Sequence, residues 1–111
     1  MGVDYTPILG IGLEFDSQLE VIEFLAEHRI IFDKDSEKIE EDGIIEFMSG
    51  HSSKLDVDCL NYYTGDYYWV GFRVYPRNLE TLPDEIQSAG YKWEQLFPSV
   101  KPDVVYTVQV H

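Results

Sequence analysis

One group of acidic residues stands close enough together in the sequence to suggest metal binding. Asp33-Lys34-Asp35-Ser36-Glu37 follows the opening of a calcium-binding loop. Such a loop requires Gly at position 38 and Glu at position 44, where this chain has Lys38 and Ile44. The segment therefore lacks the ligand pattern of an EF-hand, and we expect no calcium site of that kind.

Asp56 and Asp58 form a second candidate, because alternate residues of a strand lie on the same side. A carboxylate pair that performs acid–base catalysis needs a third group nearby, such as His51 or Asp4. The sequence places neither beside the pair, so we interpret the pair as part of a solvated strand face. The enzyme alternative gains weight only if the fold brings both carboxylates and a histidine into one pocket.

Three further patterns fail on spacing. Gly10-Ile11-Gly12 lacks the third glycine of a dinucleotide-binding loop, because residue 15 is Phe15. No two of the three histidines are four residues apart, and Cys59, the only cysteine, has no partner in a C-x-x-C pair. We therefore predict no metal, no cofactor and no enzymatic activity.

Aromatic side chains are concentrated in the region that reads as a hairpin. Its aromatic residues are Tyr62, Tyr63, Tyr67, Tyr68, Trp69 and Tyr75. RNA-binding sheets stack bases on such rings, but phosphate contacts also require a basic surface, which this region lacks. We expect no direct nucleic-acid binding. Some of the rings should fill the core, and the others should form a protein-binding surface.

The charge of the chain is its strongest functional signal. There are 21 Asp and Glu against 8 Lys and Arg, a net charge of -13, and 12 of the acidic residues lie between Glu14 and Glu46. A field of this sign repels phosphate and attracts basic surfaces. The predicted contact surface consists of Glu20, Glu23, Glu27, Asp33, Asp35, Glu37, Glu40, Glu41 and Asp42.

Local patterns predict the first two elements that carry these residues. Residues 5–15 alternate between apolar side chains and Gly or Glu, which predicts a strand. The glycines on one of its faces indicate that a helix or another backbone packs close there. Ser17 and Glu20 match a capping box, so we expect a helix that runs to about Arg29. Its apolar residues, Leu19 among them, predict a mostly buried helix with an acidic ridge.

The second half of the chain gives a hairpin, a helix and a strand. The predicted elements are a strand over residues 55–59, a turn at Thr64-Gly65-Asp66, a return strand over 67–75, a helix from about Thr81 to Pro98, and a strand over 103–110. Residues 30–53 remain open, because the apolar residues after Gly43 fit a helix as well as a short strand.

The order of these elements predicts an α+β fold. We expect a mainly antiparallel sheet of about four strands with two helices on one face, in the split βαβ order of ferredoxin-like folds. Residues 30–53 would form an acidic insert after the first helix. A chain of 111 residues is long enough for one core, so residues 1–111 are expected to form one domain.

The sequence also favours the cytoplasm. A single cysteine allows no intramolecular disulfide, which is typical of a reducing compartment. The first 13 residues do not match a signal peptide, and no apolar run approaches the ~18 residues of a membrane span. We therefore expect a soluble cytoplasmic protein with no membrane partner.

Several segments resemble small uncharacterised acidic proteins of tailed bacteriophages. The resemblance lies in residues 1–5, 10–12, 59–63 and 92–98, and it would cover most of the chain. It implies expression in the cytoplasm of an infected bacterium and a role in host takeover or in blocking host defence. That group has no assigned activity, so the resemblance implies no catalytic residues.

Together these observations predict a non-catalytic acidic protein that binds or inhibits a basic, nucleic-acid-binding host protein, with its carboxylates imitating nucleic-acid phosphates. One alternative is an immunity protein that neutralises a basic toxin nuclease. Another is a self-associating structural or accessory protein, such as a homodimer that pairs through a strand edge or the aromatic hairpin.

Overall fold

The computed structural model describes residues 5–51, 54–62, 65–75 and 80–110. In chain order the elements are β1 (Tyr5–Phe15), α1 (Gln18–Glu27), a 3₁₀ turn (Asp33–Asp35), α2 (Ser36–Asp42), α3 (Ile44–Ser49), β2 (Asp56–Tyr62), β3 (Gly65–Arg73), α4 (Leu82–Leu96) and β4 (Asp103–Val110). The predicted α+β class is confirmed.

The four strands form one open antiparallel sheet in the order β2-β3-β1-β4. The register places Ile11 of β1 opposite Phe72 of β3 on one side and Val104 of β4 on the other. Directly opposed residues of antiparallel strands point to the same face, so these three side chains share one face of the sheet.

The helices cover this face and enclose the core. Gly90 of α4 lies directly over Ile11, because a Cβ built at Gly90 would be 3.7 Å from Ile11 Cδ1. Trp93 of α4 is buried, stacks on Phe24 of α1 with ring centroids 6.3 Å apart, and donates from Nε1 to the Val100 carbonyl at 2.9 Å. Each large apolar side chain buried in this way stabilises the fold by roughly 1.5–3 kcal/mol.

The indole of Trp69 packs with Val105 on the opposite face. Trp69 is fully buried there, and a Cβ at Gly10 would lie 2.8 Å from its Cζ2. A Cβ at Gly12 would lie 2.0 Å from the Val70 carbonyl oxygen. The close neighbours predicted for the β1 glycines are therefore the β3 backbone and the Trp69 ring. The sheet also curls, since β2 and β4 have Cα atoms within 8 Å although two strands separate them.

Helix α1 begins as predicted but ends earlier. Glu20 N donates to Ser17 Oγ at 3.2 Å, and Asp16 N donates to Glu20 Oε2 at 2.9 Å, which confirms the capping interactions. The helix ends at Glu27 because Arg29 adopts a φ of +61°, which lets the next amide, that of Ile30, donate to the Leu25 carbonyl at 2.9 Å. This is a Schellman closure with arginine in the position that usually holds glycine.

The burial predicted for α1 is wrong in part. Val21 and Leu25 are fully buried, but Leu19 is 64% exposed, so the helix is buried along one stripe only. An exposed leucine on a helix flank is unremarkable alone. Here it lies beside the acidic ridge.

Residues 33–49, which the sequence left open, are helical. Gly43 separates α2 from α3 with a φ of +85°, which favours glycine. The amide of Ile44 donates to Gln18 Oε1 at 3.3 Å, tying α3 to the start of α1. Ile39 and Met48 are buried. The described residues thus contain four α-helices, and the prediction of two was too few.

The hairpin prediction is confirmed except for its turn. Gly65 and Asp66 pair with Tyr62 and Asn61, so they belong to β3 and not to the turn. Thr64 lies outside the described residues. Helix α4 agrees with its prediction, with Pro83 in the first turn, where its missing amide costs no hydrogen bond.

Candidate functional site

The nine predicted contact residues all lie at the surface of one helical region. Three are on α1 (Glu20, Glu23, Glu27), two on the 3₁₀ turn (Asp33, Asp35) and four on α2 (Glu37, Glu40, Glu41, Asp42). Asp35 and Asp42 are half-buried and the other seven are exposed. A stretch of 23 residues thus presents nine carboxylates to solvent.

Three of these carboxylates have local structural roles. Glu20 caps α1, Asp35 Oδ2 accepts from the Phe32 amide at 3.0 Å, and Asp42 pairs with Lys38 Nζ at 3.3 Å. The other six side chains form no hydrogen bond or ion pair with any residue that the structure describes: Glu23, Glu27, Asp33, Glu37, Glu40 and Glu41. Those six are available to a partner.

A groove of about 310 Å³ runs between α1 and the segment formed by the 3₁₀ turn and α2. Its base contains the buried side chains of Ile31 and Ile39. Its walls contain Leu19, 64% exposed, and Phe32, 52% exposed. The left-handed turn at Arg29 creates this groove, because it sends the chain back alongside α1. We call this feature the α1–α2 groove.

Three predicted contact residues line the α1–α2 groove: Glu23 from α1, Asp33 from the 3₁₀ turn and Glu40 from α2. No lysine or arginine of the described chain lines it. Lys34 lies just outside, with Nζ 5.8 Å from the centroid of the Phe32 ring, in cation–π range. The groove therefore combines an apolar interior with an acidic rim.

The remaining predicted residues lie around the groove but do not line it. Glu27 is one helical turn from Glu23, and Glu37 is one turn from Glu40. The sequence pattern does not predict the two apolar walls, since it places Leu19 among the buried residues of α1. The available signal for Phe32 is its position between an apolar pair and the charged segment.

The structure also brings together the three residues that the sequence could not. His51, Asp56 and Asp58 all line a pocket of about 340 Å³ between α3 and β2, and Lys54 lines it too. Because β2 is an edge strand of the sheet, the pocket opens at the sheet's side. We call it the β2 pocket. It meets the condition under which the enzyme alternative gains weight.

Arg73 holds both carboxylates of the β2 pocket. Its Nη2 donates to Asp58 Oδ2 at 2.7 Å, and its backbone amide donates to Asp56 Oδ2 at 3.2 Å. Both aspartates are half-buried. The interpretation of this pair as a solvated strand face is therefore wrong, because Arg73, two residues along β3 from the register partner of Asp56, binds both carboxylates.

Burial and neighbouring charges oppose each other at Asp56 and Arg73. Burial raises the pKa of Asp56, opposed by the hydrogen bond from the Arg73 amide and supported by the charge of Asp58. Burial lowers the pKa of Arg73, but Asp58 and Tyr75 outweigh it and the net shift is upward. A perturbed carboxyl in a pocket is typical of acid–base sites, although structural ion pairs produce such shifts as well.

The aromatic residues of the hairpin divide as expected where they are described. Trp69 is fully buried, Tyr67 and Tyr68 are half-buried, and Tyr75 is 71% exposed. The side chain of Tyr62 and all of Tyr63 lie outside what the structure describes. In the described chain no three His, Cys, Asp or Glu side chains are arranged to hold a metal ion.

In comparisons with known proteins, the chain matches no family model, no curated protein and no solved structure. Across the described ranges, every helix is too short or too polar to cross a bilayer. The α1–α2 groove and the β2 pocket are therefore the two candidate sites.

Proposed function

We propose that this protein is a non-catalytic binding protein that binds and inhibits a basic, nucleic-acid-binding protein. One observation carries the proposal: Glu23, Asp33 and Glu40 come from three separate elements and converge on one groove, with no basic residue of the described chain among its lining. Exposed carboxylates without fixed partners can pair with arginine and lysine of another protein.

Electrostatics supports a basic protein as the partner. With a net charge of -13, the chain repels nucleic acid and anionic membranes, and long-range attraction accelerates encounter with a basic protein. A nucleic-acid-binding protein presents the positive surface that such a field attracts. In this proposal the carboxylates occupy the surface that phosphates would otherwise occupy, so the partner cannot hold both ligands.

The proposal also covers where the protein acts and which fold it has. Following the sequence resemblance, we place the protein in the cytoplasm of a phage-infected bacterium. The alternative, an immunity protein against a basic toxin nuclease, would use the same surface. The strand order β2-β3-β1-β4 with antiparallel neighbours supports a ferredoxin-like fold, in which residues 30–53 are an acidic insertion after α1.

Charge reversal with a matched control tests the proposal. The variant E23K/D33K/E40K reverses the groove rim, and E80K/E94K/D103K reverses three exposed carboxylates that do not line the groove. Each variant changes the net charge from -13 to -7, since each reversal adds two charges. Affinity for a basic protein captured from bacterial lysate should fall roughly 100-fold for the rim variant and only a few-fold for the control.

Two further measurements complete this test. Circular dichroism must show that both variants keep the wild-type fold, and added duplex DNA should displace the captured protein if the carboxylates occupy its phosphate-binding surface. Equal losses in the two triple variants would refute the groove as the contact site. A captured partner that binds DNA and this protein simultaneously would refute the mimicry.

A second candidate function is acid–base chemistry in the β2 pocket, favoured by the meeting of His51 with Asp56 and Asp58. Nuclear magnetic resonance with millimolar amines, carboxylates and phosphate gives a direct test. Shifts confined to this pocket in the wild type and lost in Asp56→Asn would support a ligand site. A silent screen would leave the pair as a structural unit around Arg73.

A further inference from the structure

We propose that the α1–α2 groove binds the apolar face of a basic amphipathic helix. Apolar side chains of that helix insert between Leu19 and Phe32, and its lysine and arginine residues pair with the acidic rim. The inference rests on the proposed function and specifies the chemistry of the partner segment, which charge alone does not.

The apolar face of the partner helix is inferred from the exposed apolar side chains of the groove. Leu19 and Phe32 are large apolar side chains, more than half exposed, and they line the same groove above the buried Ile31 and Ile39. Single exposed apolar residues need no explanation, but neighbouring ones that line a concave site mark an interaction surface. Covering them stabilises a complex by about 25 cal/mol per Å² of apolar area removed from water.

The helical conformation of the partner segment is inferred from the walls of the groove. The groove is bounded by α1, a 3₁₀ turn and α2, whose backbone groups are largely engaged within their own turns. Such walls offer no free strand edge for an extended peptide to pair with. A helix needs no backbone partners and presents apolar anchors at positions i, i+3, i+4 and i+7 along one face, as in other helix-in-groove complexes.

The basic residues of the partner helix are inferred from the acidic rim of the groove. Glu23, Asp33 and Glu40 surround the apolar side chains, and no positive residue of the described chain lines the groove with them. A second copy of this chain, with its own charge of -13, would be repelled. A neutral apolar ligand would leave three carboxylates beside a water-excluding surface without compensation. A helix with apolar anchors flanked by basic residues satisfies both parts of the groove.

The test uses designed peptides of about 18 residues, roughly five helical turns. One has leucine and lysine in amphipathic helical order, and the second has the same composition in an order that destroys the apolar face. Isothermal titration should show the ordered peptide binding at least about tenfold more tightly to the wild-type protein, with a gain in peptide helicity on binding.

Groove variants then separate the apolar contribution from charge. L19Q/F32Q should reduce binding of the ordered peptide about tenfold, to the level of the scrambled one. Tyr91→Gln, which removes a 60% exposed ring from α4 outside the groove, should leave it unchanged. Lys34→Glu should strengthen binding several-fold, because it removes the positive charge beside the groove.

The outcomes test the helix-in-groove inference and the proposed function separately. If both peptides bind equally and E23K/D33K/E40K abolishes the binding of both, the acidic contact surface is supported and the helix-in-groove inference is overturned. If the rim reversal leaves both peptides bound, the acidic contact surface itself is wrong. Loss of the ordered peptide in L19Q/F32Q, with the Tyr91→Gln control intact, supports both.

Discussion

Carboxylates serve opposite purposes at the two sites of this molecule. At the α1–α2 groove, Glu23, Asp33 and Glu40 are exposed and make no ion pair with any described residue. At the β2 pocket, Asp56 and Asp58 are half-buried and both are bound by Arg73. The same functional group is thus left open to a partner in one place and hydrogen-bonded within the fold in the other.

The difference follows from solvation. An exposed carboxylate keeps its water, so a cluster of them adds only repulsion, which salt screens. A carboxylate removed from water requires a compensating charge or hydrogen bond, and the paired β3 strand supplies one through Arg73. A surface rich in acid therefore indicates a binding role only where the fold leaves the charges uncompensated.

Removing the compensating arginine, Arg73, should change the stability of the fold the most. In Arg73→Met, Asp58 loses an ion pair in which both side chains are about three-quarters buried or more. We expect a loss of about 2–3 kcal/mol in the free energy of unfolding, measured by urea denaturation. Adding Asp58→Asn should recover part of this loss, because no unpaired charge then remains.

The matched control lies beside the α1–α2 groove. Lys38→Met breaks the pair with Asp42, in which the two side chains are 65% and 30% exposed. An exposed helical pair of this kind contributes roughly 0.3–0.5 kcal/mol, so the change should be far smaller than for Arg73→Met. Equal losses in the two variants would remove the distinction between the sites.

Neutralising the groove rim should raise the stability of the fold, whereas removing Arg73 should lower it. E23Q/D33N/E40Q removes three like charges that have no described partner, so stability should rise by up to about 0.5–1 kcal/mol at low salt. The wild-type melting temperature should increase between about 0.02 and 0.3 M NaCl, and the variant should show a smaller increase. A wild-type melting temperature that stays flat or falls would contradict this view of the groove.

Most of the sheet and of the α1 and α4 boundaries could be predicted, because their signals are local. Alternation marks the strands, Ser17 and Glu20 cap α1, and Pro83 lies in the first turn of α4. Residues 33–49 could not be assigned, because Ile44 and Met48 fit both helical and strand periods. Their helical state is supported by contacts distant in sequence, including the hydrogen bond to Gln18.

The candidate site shows the same limit. The three rim residues could be named from charge alone, and all three are exposed. The groove could not be found, because it depends on the left-handed backbone of Arg29, which the pattern placed in the last turn of the helix. The β2 pocket could not be found because it requires β2 to approach α3, which no local pattern encodes.

The smallest predicted effect concerns Asp56 and depends on pH. Burial raises the pKa of Asp56 above its usual 3.8, so the folded protein favours the neutral carboxyl. Its ionisation therefore opposes folding at neutral pH, and this opposition fades as pH falls through the raised pKa and is absent below 3.8. Asp56→Asn keeps an oxygen to accept from the Arg73 amide but cannot ionise. The variant should be slightly more stable than the wild type at pH 7, with the difference shrinking toward pH 4 in a series of urea midpoints.

The opposite result would contradict this prediction. If Asp56→Asn is less stable than the wild type at pH 7, by a margin that grows with pH, attraction to Arg73 outweighs burial. Asp56 would then resemble Asp58, whose charge Arg73 compensates.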